Sequence, residues 1–381
     1  MSFNKPKIII VDNSYYYTGA FKAILSSVVA LSYSYEFVFV LPRKTRIANL
    51  VRDNKFKVKT LPFIELSRRP RDVLFYFPIL LINGLALARF VLSYKARIIH
   101  VNDYYNLTGT VAKLFLPSIK LVTHIRKLPN SFPSILNHFW LAIHKTFSDQ
   151  IIGVSKAVKK QLPPGYPARL VYDGIAEKEK LTSRVSQFET NDPIKFLYLG
   201  HFIPGKGQDY ALEAFREAYK ACNNILLRFV GGEMGLKKNR KFRESLKKKT
   251  LDWGLSELVQ FDGPTKDVEK EIKEADIVLN FSESESFSFV CLETLYYGTP
   301  LIASDYGGPS ELCQNHFSGL LVPNKNVEEM SKAMIHLSKH HEERKKYSTN
   351  GKKFVRENFA FRTTVKNFNR FYNEMLNMDY N

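Results

Sequence analysis

The chain has 381 residues, enough for two domains of ordinary size, and its 45% hydrophobic and 24% charged residues exclude an intrinsically disordered protein. The formal net charge is +19, and residues 1–190 carry 28 basic and 11 acidic side chains, a net of +17. This asymmetry indicates an anionic partner for the first half, either nucleic acid or a phospholipid surface with its lipid phosphates. The alternative is a basic surface that only keeps the protein soluble.

Short apolar runs alternate with helical segments in the first half of the chain. The predicted strands are Lys7–Val11, Phe37–Leu41, Ile98–Val101, Leu121–His124 and Ile151–Val154, and Gly19–Leu31 is a predicted helix. Strands of this kind, separated by helices, predict a parallel, doubly wound sheet.

One apolar segment, Val73–Leu92, approaches the length of a membrane span. Pro78, Asn83, Gly84 and Arg89 interrupt it, so a buried or half-buried helix is the prediction. The first residues run directly into a strand and leave no room for a signal peptide, and the three cysteines lack metal-ligand spacing. We therefore expect a cytoplasmic protein that is soluble or bound peripherally to a membrane.

The pattern of strands and helices restarts after a polar stretch, residues 176–193, which is the predicted linker. The later strands are predicted at Lys195–Leu199, Leu226–Val230, Val259–Phe261, Ile277–Asn280 and Pro300–Ala303. The predicted organisation is two Rossmann-like α/β domains, residues 1–175 and 194–358, facing across a cleft. A last amphipathic helix, within residues 359–381, is expected to return to the first domain. Ligands of open α/β sheets bind at the carboxyl ends of the strands, which predicts a site in the cleft.

Two glutamates mark the strongest candidate site. Glu285 follows a predicted strand and Glu293 lies eight positions later, within a predicted helix that opens near Phe287. A helix start suits a pyrophosphate, and a carboxylate in the helix can accept hydrogen bonds from ribose hydroxyls. Taken alone, the pair also fits a solvated helix face or the two carboxylates of a glycosidase.

The wider run favours a different interpretation. Ser282, Glu285, Phe287, Glu293, Gly298, Pro300, Gly307 and Gly308 match a known signature. The run resembles the Glu-x7-Glu segment of retaining GT-B glycosyltransferases, specifically glycosyltransferase family 4. The family's glycines beside Phe287 are replaced by Ser286 and Ser288, and its proline by Phe281. The resemblance implies the GT-B fold and places the donor diphosphate at Ser286, Phe287, Ser288 and Phe289, the ribose on Glu293 and the sugar near Glu285.

A second block, Phe196–Gly207, agrees with this resemblance. The family has Gly-Arg-x4-Lys-Gly here, and its two cations neutralise the donor diphosphate. Lys206 matches the lysine, Gly205 precedes it, and His201 occupies the arginine position. A neutral histidine lacks the fixed charge and the forked hydrogen-bond donors of arginine. Lys206 or another basic residue is therefore expected to provide more of the charge that neutralises the diphosphate.

Two positions of the first half complete the implied site. His124 ends a predicted strand and matches a histidine that contacts the donor sugar or the reaction centre, and Gly19 occupies the place of the family's N-terminal glycine loop. With Lys206 and Glu285, His124 is a predicted catalytic residue.

The implied activity is transfer of a sugar from a nucleotide-sugar donor to a hydroxyl with retention of configuration, in surface polysaccharide or glycolipid synthesis. The sequence has no Asp-x-Asp motif, so neither a metal nor another cofactor is expected. The expected acceptor is lipid-linked or a saccharide, and an anionic membrane at the inner face is the expected surface, with Arg68, Arg69 and Arg71 suited to its headgroups.

Two other functions remain open on the sequence. A GT-B nucleotide-sugar epimerase shares the architecture but requires acid/base pairs that the sequence does not indicate. A nucleic-acid-binding protein fits the charge, although no helix-turn-helix, zinc or RNA-recognition signature accompanies it.

Overall fold

A computed structural model of the chain describes residues 5–64, 70–177 and 192–377. The described chain forms two compact units. The first combines Met1–Gly174 with Phe361–Asn381, and the second is Ile175–Ala360. Each unit is an α/β layer structure around its own parallel sheet, as the sequence predicts.

The first unit contains a seven-stranded parallel sheet. Its strands are β1 (Lys7–Val11), β2 (Glu36–Pro42), β3 (Lys57–Leu61), β4 (Ile98–Val101), β5 (Lys120–Ile125), β6 (Gln150–Gly153) and β7 (Ala168–Leu170), in the spatial order β3-β2-β1-β4-β5-β6-β7. Its helices are α1 (Gly19–Leu31), α2 (Ala48–Asp53), α3 (Pro70–Tyr94), α4 (Thr108–Phe115), α5 (Ser134–Phe147), α6 (Lys156–Lys160) and α14 (Phe361–Leu376). The central strands are buried on both faces, which explains their continuously apolar sequences.

The second unit contains a six-stranded parallel sheet. Its strands are β8 (Ile194–Leu199), β9 (Ile225–Val230), β10 (Val259–Asp262), β11 (Ile277–Asn280), β12 (Leu301–Ser304) and β13 (Leu320–Val322), in the order β10-β9-β8-β11-β12-β13. Its helices are α7 (Gln208–Ala221), α8 (Lys237–Asp252), α9 (Val268–Glu274), α10 (Phe289–Tyr297), α11 (Pro309–Leu312), α12 (Val327–Lys339) and α13 (His341–Asn358). The strand order reverses between β8 and β11, the topological switch point at which doubly wound sheets bind ligands.

The last helix, α14, packs on the sheet of the first unit. Phe368, Phe371 and Tyr372 join the core formed by α1 and the strands. The Tyr372 hydroxyl lies 2.7 Å from Nδ1 of His100 on β4. The chain thus returns to its first unit after completing the second.

Helix α3 covers the apolar segment that the sequence interrupts with polar residues. Its C-terminal half is buried through Leu87, Ala88 and Val91, whereas its N-terminal half exposes large apolar side chains. In the part of the chain that the structure describes, one helix, Leu74–Tyr94, is long and apolar enough to cross a membrane, and 33% of its most apolar window is buried. A helix of this kind occurs in soluble and in membrane-bound proteins, so this property alone assigns no location.

Candidate functional site

The candidate site lies at the carboxyl edge of the second sheet. Strands β8 and β11 are parallel neighbours, with Tyr198 opposite Leu279. The loops that follow these strands, residues 200–207 and 281–288, therefore leave the same edge side by side. The first carries Lys206 and the second carries Glu285.

Hydrogen bonds join the two loops both directly and through Tyr198 of β8. The amide of Glu283 donates to the Gly205 carbonyl at 2.9 Å, and the amide of Phe281 donates to the Tyr198 hydroxyl at 2.9 Å. That hydroxyl in turn donates to the Lys206 carbonyl. A phenol can donate one bond and accept others, so Tyr198 connects both loops from inside the core. The backbone of Lys206 is fixed against the loop that carries Glu285.

Gly207 permits this close approach. It precedes α7 with φ 85°, in the left-handed region that favours glycine. A Cβ atom at this position would lie 2.1 Å from the Phe281 carbonyl oxygen. Any larger residue would push apart the two loops that hold the candidate site.

Lys206 and Glu285 form an ion pair. The Lys206 ammonium lies 2.5 Å from a Glu285 carboxylate oxygen, and the two side chains are 36% and 19% exposed. The structure therefore brings together two of the three predicted catalytic residues. A half-exposed cation beside a carboxylate can bind a phosphate and a hydroxyl group of one ligand.

Helix α10 begins at Phe289, two residues later than the sequence predicts. Ser288 is its N-cap, and its Oγ accepts from the Cys291 amide at 3.4 Å and from Asn280 Nδ2 at 3.1 Å. The backbone of Ser288 has φ 90° and ψ 94°, a conformation costly for a residue with a Cβ atom. The resembling family has glycine here, so the serine exchanges backbone freedom for a capping side chain.

The loop before α10 is held by buried contacts. Phe287 is 3% exposed and packs against Phe289 and Phe359, with ring centroids 6.1 and 6.0 Å away. The Gly308 amide donates to the Glu285 carbonyl at 2.8 Å, and a Cβ on Gly308 would lie 2.2 Å from the Phe287 carbonyl oxygen. Gly308 therefore packs directly against the loop that carries Glu285 and holds this loop in place. The ring of Phe287 belongs to the core, so only its backbone remains for a ligand.

Glu293 lies in the second turn of α10 and is 7% exposed. Burial, and secondarily the Glu293 carboxylate, raises the pKa of Tyr297 one turn later. Ser286 lies half-buried in the loop before the helix. The dipole of α10 favours an anion at the N-terminus of this helix.

His201 is half-buried at the end of β8. Its carbonyl accepts from Gln208 Nε2 at 2.9 Å, and within the described residues its Nδ1 atom has no hydrogen-bond partner. This nitrogen is buried within the loop that carries Lys206.

Arg243 lies in the lysine-rich helix α8 and is not predicted from the sequence as a site residue. Its guanidinium binds Glu233 at 2.7 Å and donates to the carbonyls of Phe261 and Asp262 at 3.2 Å each. It also lies 5.1 Å from the ring centroid of Phe202, the residue after His201. A fixed cation thus stands at the carboxyl edge of β9 and β10, beside the position where the family pattern has arginine.

Gly19 and His124 lie in the first unit. Gly19 is the exposed first residue of α1, whose N-cap Thr18 accepts from the Phe21 amide at 3.2 Å. His124 is fully buried on β5, with ring centroids of His100 and Phe368 5.7 and 5.8 Å away. Within the described chain neither ring nitrogen has a partner, and burial lowers the pKa of His124 well below its usual value. Their assigned roles stay predictions.

Within residues 5–64, 70–177 and 192–377, no group of three or more histidine, cysteine, aspartate or glutamate residues is arranged to hold a metal ion. The expectation that no metal is needed stays a prediction.

Part of the chain matches a known protein family. Residues 179–354 match the family "Glycosyl transferases group 1". An uncharacterised glycosyltransferase of Methanocaldococcus jannaschii is 27% identical over 268 residues, 66% of each protein. The alpha-1,3/1,6-mannosyltransferase ALG2 of Dictyostelium discoideum is 27% identical over 197 residues, 49% of this chain and 47% of the relative. The matches thus span less than two thirds of these relatives' own lengths.

Solved structures agree on the fold. The structure of Anabaena HepE in complex with UDP-glucose superposes with a TM-score of 0.80 at 17% identity, covering 97% of this chain and 99% of HepE. The chain therefore has the GT-B fold, and the segment that matches "Glycosyl transferases group 1" carries Lys206, Glu285 and Glu293.

Proposed function

We propose that this chain is a glycosyltransferase that moves a sugar from a nucleotide-diphosphate-sugar donor to a hydroxyl acceptor. The observation that carries the proposal is the Lys206–Glu285 ion pair at the carboxyl edge of β8 and β11, inside the family-matched segment. The glycosyltransferase of Methanocaldococcus jannaschii, the mannosyltransferase of Dictyostelium discoideum and the UDP-glucose bound to HepE support the same activity class.

We assign residues of the chain to the diphosphate, the ribose and the sugar of the donor. Lys206 and the N-terminus of α10 neutralise the diphosphate, whose negative charge grows as the sugar leaves. His201 and the backbone of Gly205 and of Ser286 to Phe289 complete that surface. Glu293 accepts from the ribose hydroxyls. When Lys206 turns toward phosphate, the Glu285 carboxylate is left to accept hydrogen bonds from the sugar.

We further propose retention of configuration without a metal ion. Lys206 and the helix dipole supply positive charge where the leaving diphosphate forms, which is the role a divalent ion has in metal-dependent enzymes. In this proposal the donor phosphate accepts the proton of the attacking hydroxyl on the same face of the sugar, and no side chain forms a covalent intermediate.

The proposed acceptor and the proposed cellular location rest on the positive charge of the first half of the chain. The net charge of +17 in residues 1–190 supports work at the anionic cytoplasmic face of a membrane, on a lipid-linked or saccharide acceptor of polysaccharide or glycolipid synthesis. Arg68 and Arg69, predicted to contact headgroups, lie outside the described residues, and Arg71 lies in α3 without a described side chain.

Thermal unfolding with a panel of nucleotide sugars tests the donor site. A ligand at 100 times its Kd stabilises the fold by about 2.7 kcal/mol, so one class of base is expected to raise the melting temperature. Glu293→Gln should weaken that ligand by roughly 10- to 100-fold, because a charged acceptor of the ribose hydroxyls is lost. The control is Glu244→Gln, an exposed carboxylate on α8.

Transfer is then measured with the stabilising donor in the presence of a chelator, and the anomeric configuration of the product is read by NMR. An inverted product contradicts retention, and loss of activity on chelation contradicts metal independence. If no nucleotide sugar stabilises the protein, the function itself is wrong.

A further inference from the structure

Helix α8 concentrates the positive charge of the second unit. Residues 175–360 contain 28 basic and 27 acidic side chains, a net charge of +1. The 16 residues of α8 alone contain eight basic and two acidic side chains, a net charge of +6. The rest of the unit, with 20 basic and 25 acidic side chains, is net negative. Such a local concentration of one sign of charge is typical of a surface that meets a partner of the opposite sign.

Most of the basic side chains of α8 face solvent. The inner face of the helix packs on the core through Leu246. Lys237, Lys241 and Lys248 follow one line along the outer face, because residues four and eleven positions apart lie on the same side of a helix. This line is about 16 Å long at 1.5 Å per residue. Six basic residues of the helix are exposed, namely Lys237, Lys238, Arg240, Lys241, Lys247 and Lys248.

Within the described residues, five of these six exposed cations have no carboxylate partner. The ion pairs of α8 are formed by Arg243, Lys247 and Lys249. The cations that remain without an acidic partner in the described chain are Lys237, Lys238, Arg240, Lys241 and Lys248. Their charge is therefore available to an external anion.

The start of α8 is unfavourable for a helix that only supports the fold. Leu236 is the N-cap and provides no side-chain hydrogen bond, and the first turn contains no acidic residue. Lys237 and Lys238 instead place two positive charges at the positive end of the helix dipole, where cations destabilise the helix. The two lysines therefore lower the stability of the helix, which indicates that they serve contact with a partner.

The composition of the outer face favours a phospholipid surface over nucleic acid. Five of the six exposed cations are lysines, which are hydrated point charges without the forked geometry that arginine uses on phosphates and bases. Phe242, the aromatic residue of α8, packs against the core instead of lying among the lysines, where a base could stack on it. Leu251, in contrast, is 69% exposed three positions after Lys248, where it can enter a headgroup layer.

We propose that the outer face of α8 binds the anionic phospholipid headgroups of a membrane surface. The lysines stay hydrated at the level of the headgroups and bind through charge, so the binding is reversible and depends on salt and on lipid composition. This surface belongs to the second unit and adds to the positive charge of residues 1–190. The membrane as the place of sugar transfer rests on the proposed function, whereas the binding by α8 does not.

Sedimentation of the full chain with vesicles measures this binding. The vesicles contain phosphatidylcholine alone or phosphatidylcholine mixed with phosphatidylglycerol, and each kind is used at low and at high salt. The α8 variant combines Lys237→Gln, Lys241→Gln and Lys248→Gln, which removes three charges from one line of the helix.

The matched control combines Lys339→Gln, Lys346→Gln and Lys353→Gln. These are exposed lysines of α12 and α13, and their replacement changes the net charge of the chain equally. Because all six lysines are exposed, both variants should keep the melting temperature of the original protein and its shift with nucleotide sugars.

The original protein should bind the anionic vesicles, and high salt should weaken this binding. One cation near such a surface contributes roughly fivefold to the partition constant, so the α8 variant should bind about 100-fold more weakly. The control variant should stay within about threefold of the original protein, because screening limits the effect of charges that lie away from the membrane.

Two outcomes overturn the surface, namely no binding to anionic vesicles and equal binding of the two variants. Equal binding of the original protein to neutral and anionic vesicles overturns the role of charge. A DNA duplex in place of the vesicles tests the other anionic partner. If the α8 variant loses affinity for the duplex but not for the vesicles, the proposed partner is wrong.

The donor panel separates this proposal from the proposed function. Nucleotide-sugar transfer without vesicle binding that depends on α8 contradicts the membrane surface alone. Vesicle binding that depends on α8, without transfer from any nucleotide sugar, contradicts the proposed function alone.

Discussion

The Lys206 ammonium and the Glu285 carboxylate lie 2.5 Å apart although 79 positions separate them along the chain. Their contact depends on two neighbouring parallel strands and on the hydroxyl of Tyr198, which bonds both loops. The pair therefore reports whether the whole edge of the sheet is assembled.

Replacing Lys206 is expected to abolish most turnover while the fold remains. Lys206→Gln removes the cation that stabilises the leaving diphosphate, and loss of such a group lowers kcat by on the order of 10²–10³-fold. The ion pair is partly exposed, so little stability should be lost. Steady-state kinetics with the donor identified by thermal shift, together with the melting temperature, check both parts.

The matched control is Lys249→Gln, which breaks the Lys249–Glu213 pair at 2.8 Å on the helices of the same unit. It changes charge equally and should leave kcat within about twofold, as expected for a surface pair. A Lys206→Gln enzyme as active as this control would show that the lysine has no part in the reaction.

Ser288 should tolerate glycine better than alanine. Alanine keeps the strained positive φ and loses the side-chain cap, for an expected loss of about 1–2 kcal/mol in the free energy of unfolding. Glycine also loses the cap but relieves the strain, so its stability should stay within about 1 kcal/mol of the original. Urea unfolding of both variants measures the difference.

Ser245 is the control, because its alanine variant is expected to be more stable than its glycine variant. It lies on the exposed face of α8, where glycine is about 1 kcal/mol less favourable than alanine. If Ser288→Gly is also less stable than Ser288→Ala, the backbone at Ser288 is not strained in solution.

The first unit should lose stability as the pH falls below 6.5. Burial, and secondarily Arg126, lowers the pKa of His100 to about 3, and burial lowers that of His144 to about 4. His124 is lowered in the same way. These rings stay neutral in the folded state, while the same rings in the unfolded chain take up protons near pH 6.5. Proton binding therefore stabilises the unfolded state relative to the folded state below that pH. The stabilisation is complete above pH 6.5 and is lost progressively toward pH 3.

His124→Phe isolates one of these contributions, since the imidazole has no hydrogen-bond partner in the described chain and its neighbours are aromatic. The variant should be at least as stable at pH 7.5 and should lose about 1.4 kcal/mol less than the original protein between pH 7.5 and 5.5. Denaturant unfolding followed by Trp140 fluorescence gives both values. Equal losses in the two proteins would mean that the imidazole is hydrated in the folded state. Kinetics of the same variant test its predicted catalytic role separately.

The central strands were readily predicted. Lys7–Val11, Ile98–Val101 and Ile277–Asn280 match the observed strands residue for residue, and helix α1 has its predicted bounds. These elements have continuous apolar runs because both faces of the sheet are covered. Strands β3, β7 and β13, which all lie at sheet edges, are not predicted from the sequence. Edge strands are short or alternate polar and apolar residues, as in Lys57–Leu61, and their sequences resemble those of loops.

Local sequence was also sufficient to predict the elements that form the candidate site, because each of them depends on neighbours a few positions away. These elements are a strand, a loop with Glu285, a helix with Glu293 and a closing Gly-Gly pair. It was not sufficient for the contact of Lys206 with Glu285, the positive φ of Ser288, the burial of His124 or the position of Arg243. Such features arise when separate strands and helices pack together. The linear sequence does not specify the distances between these elements in space.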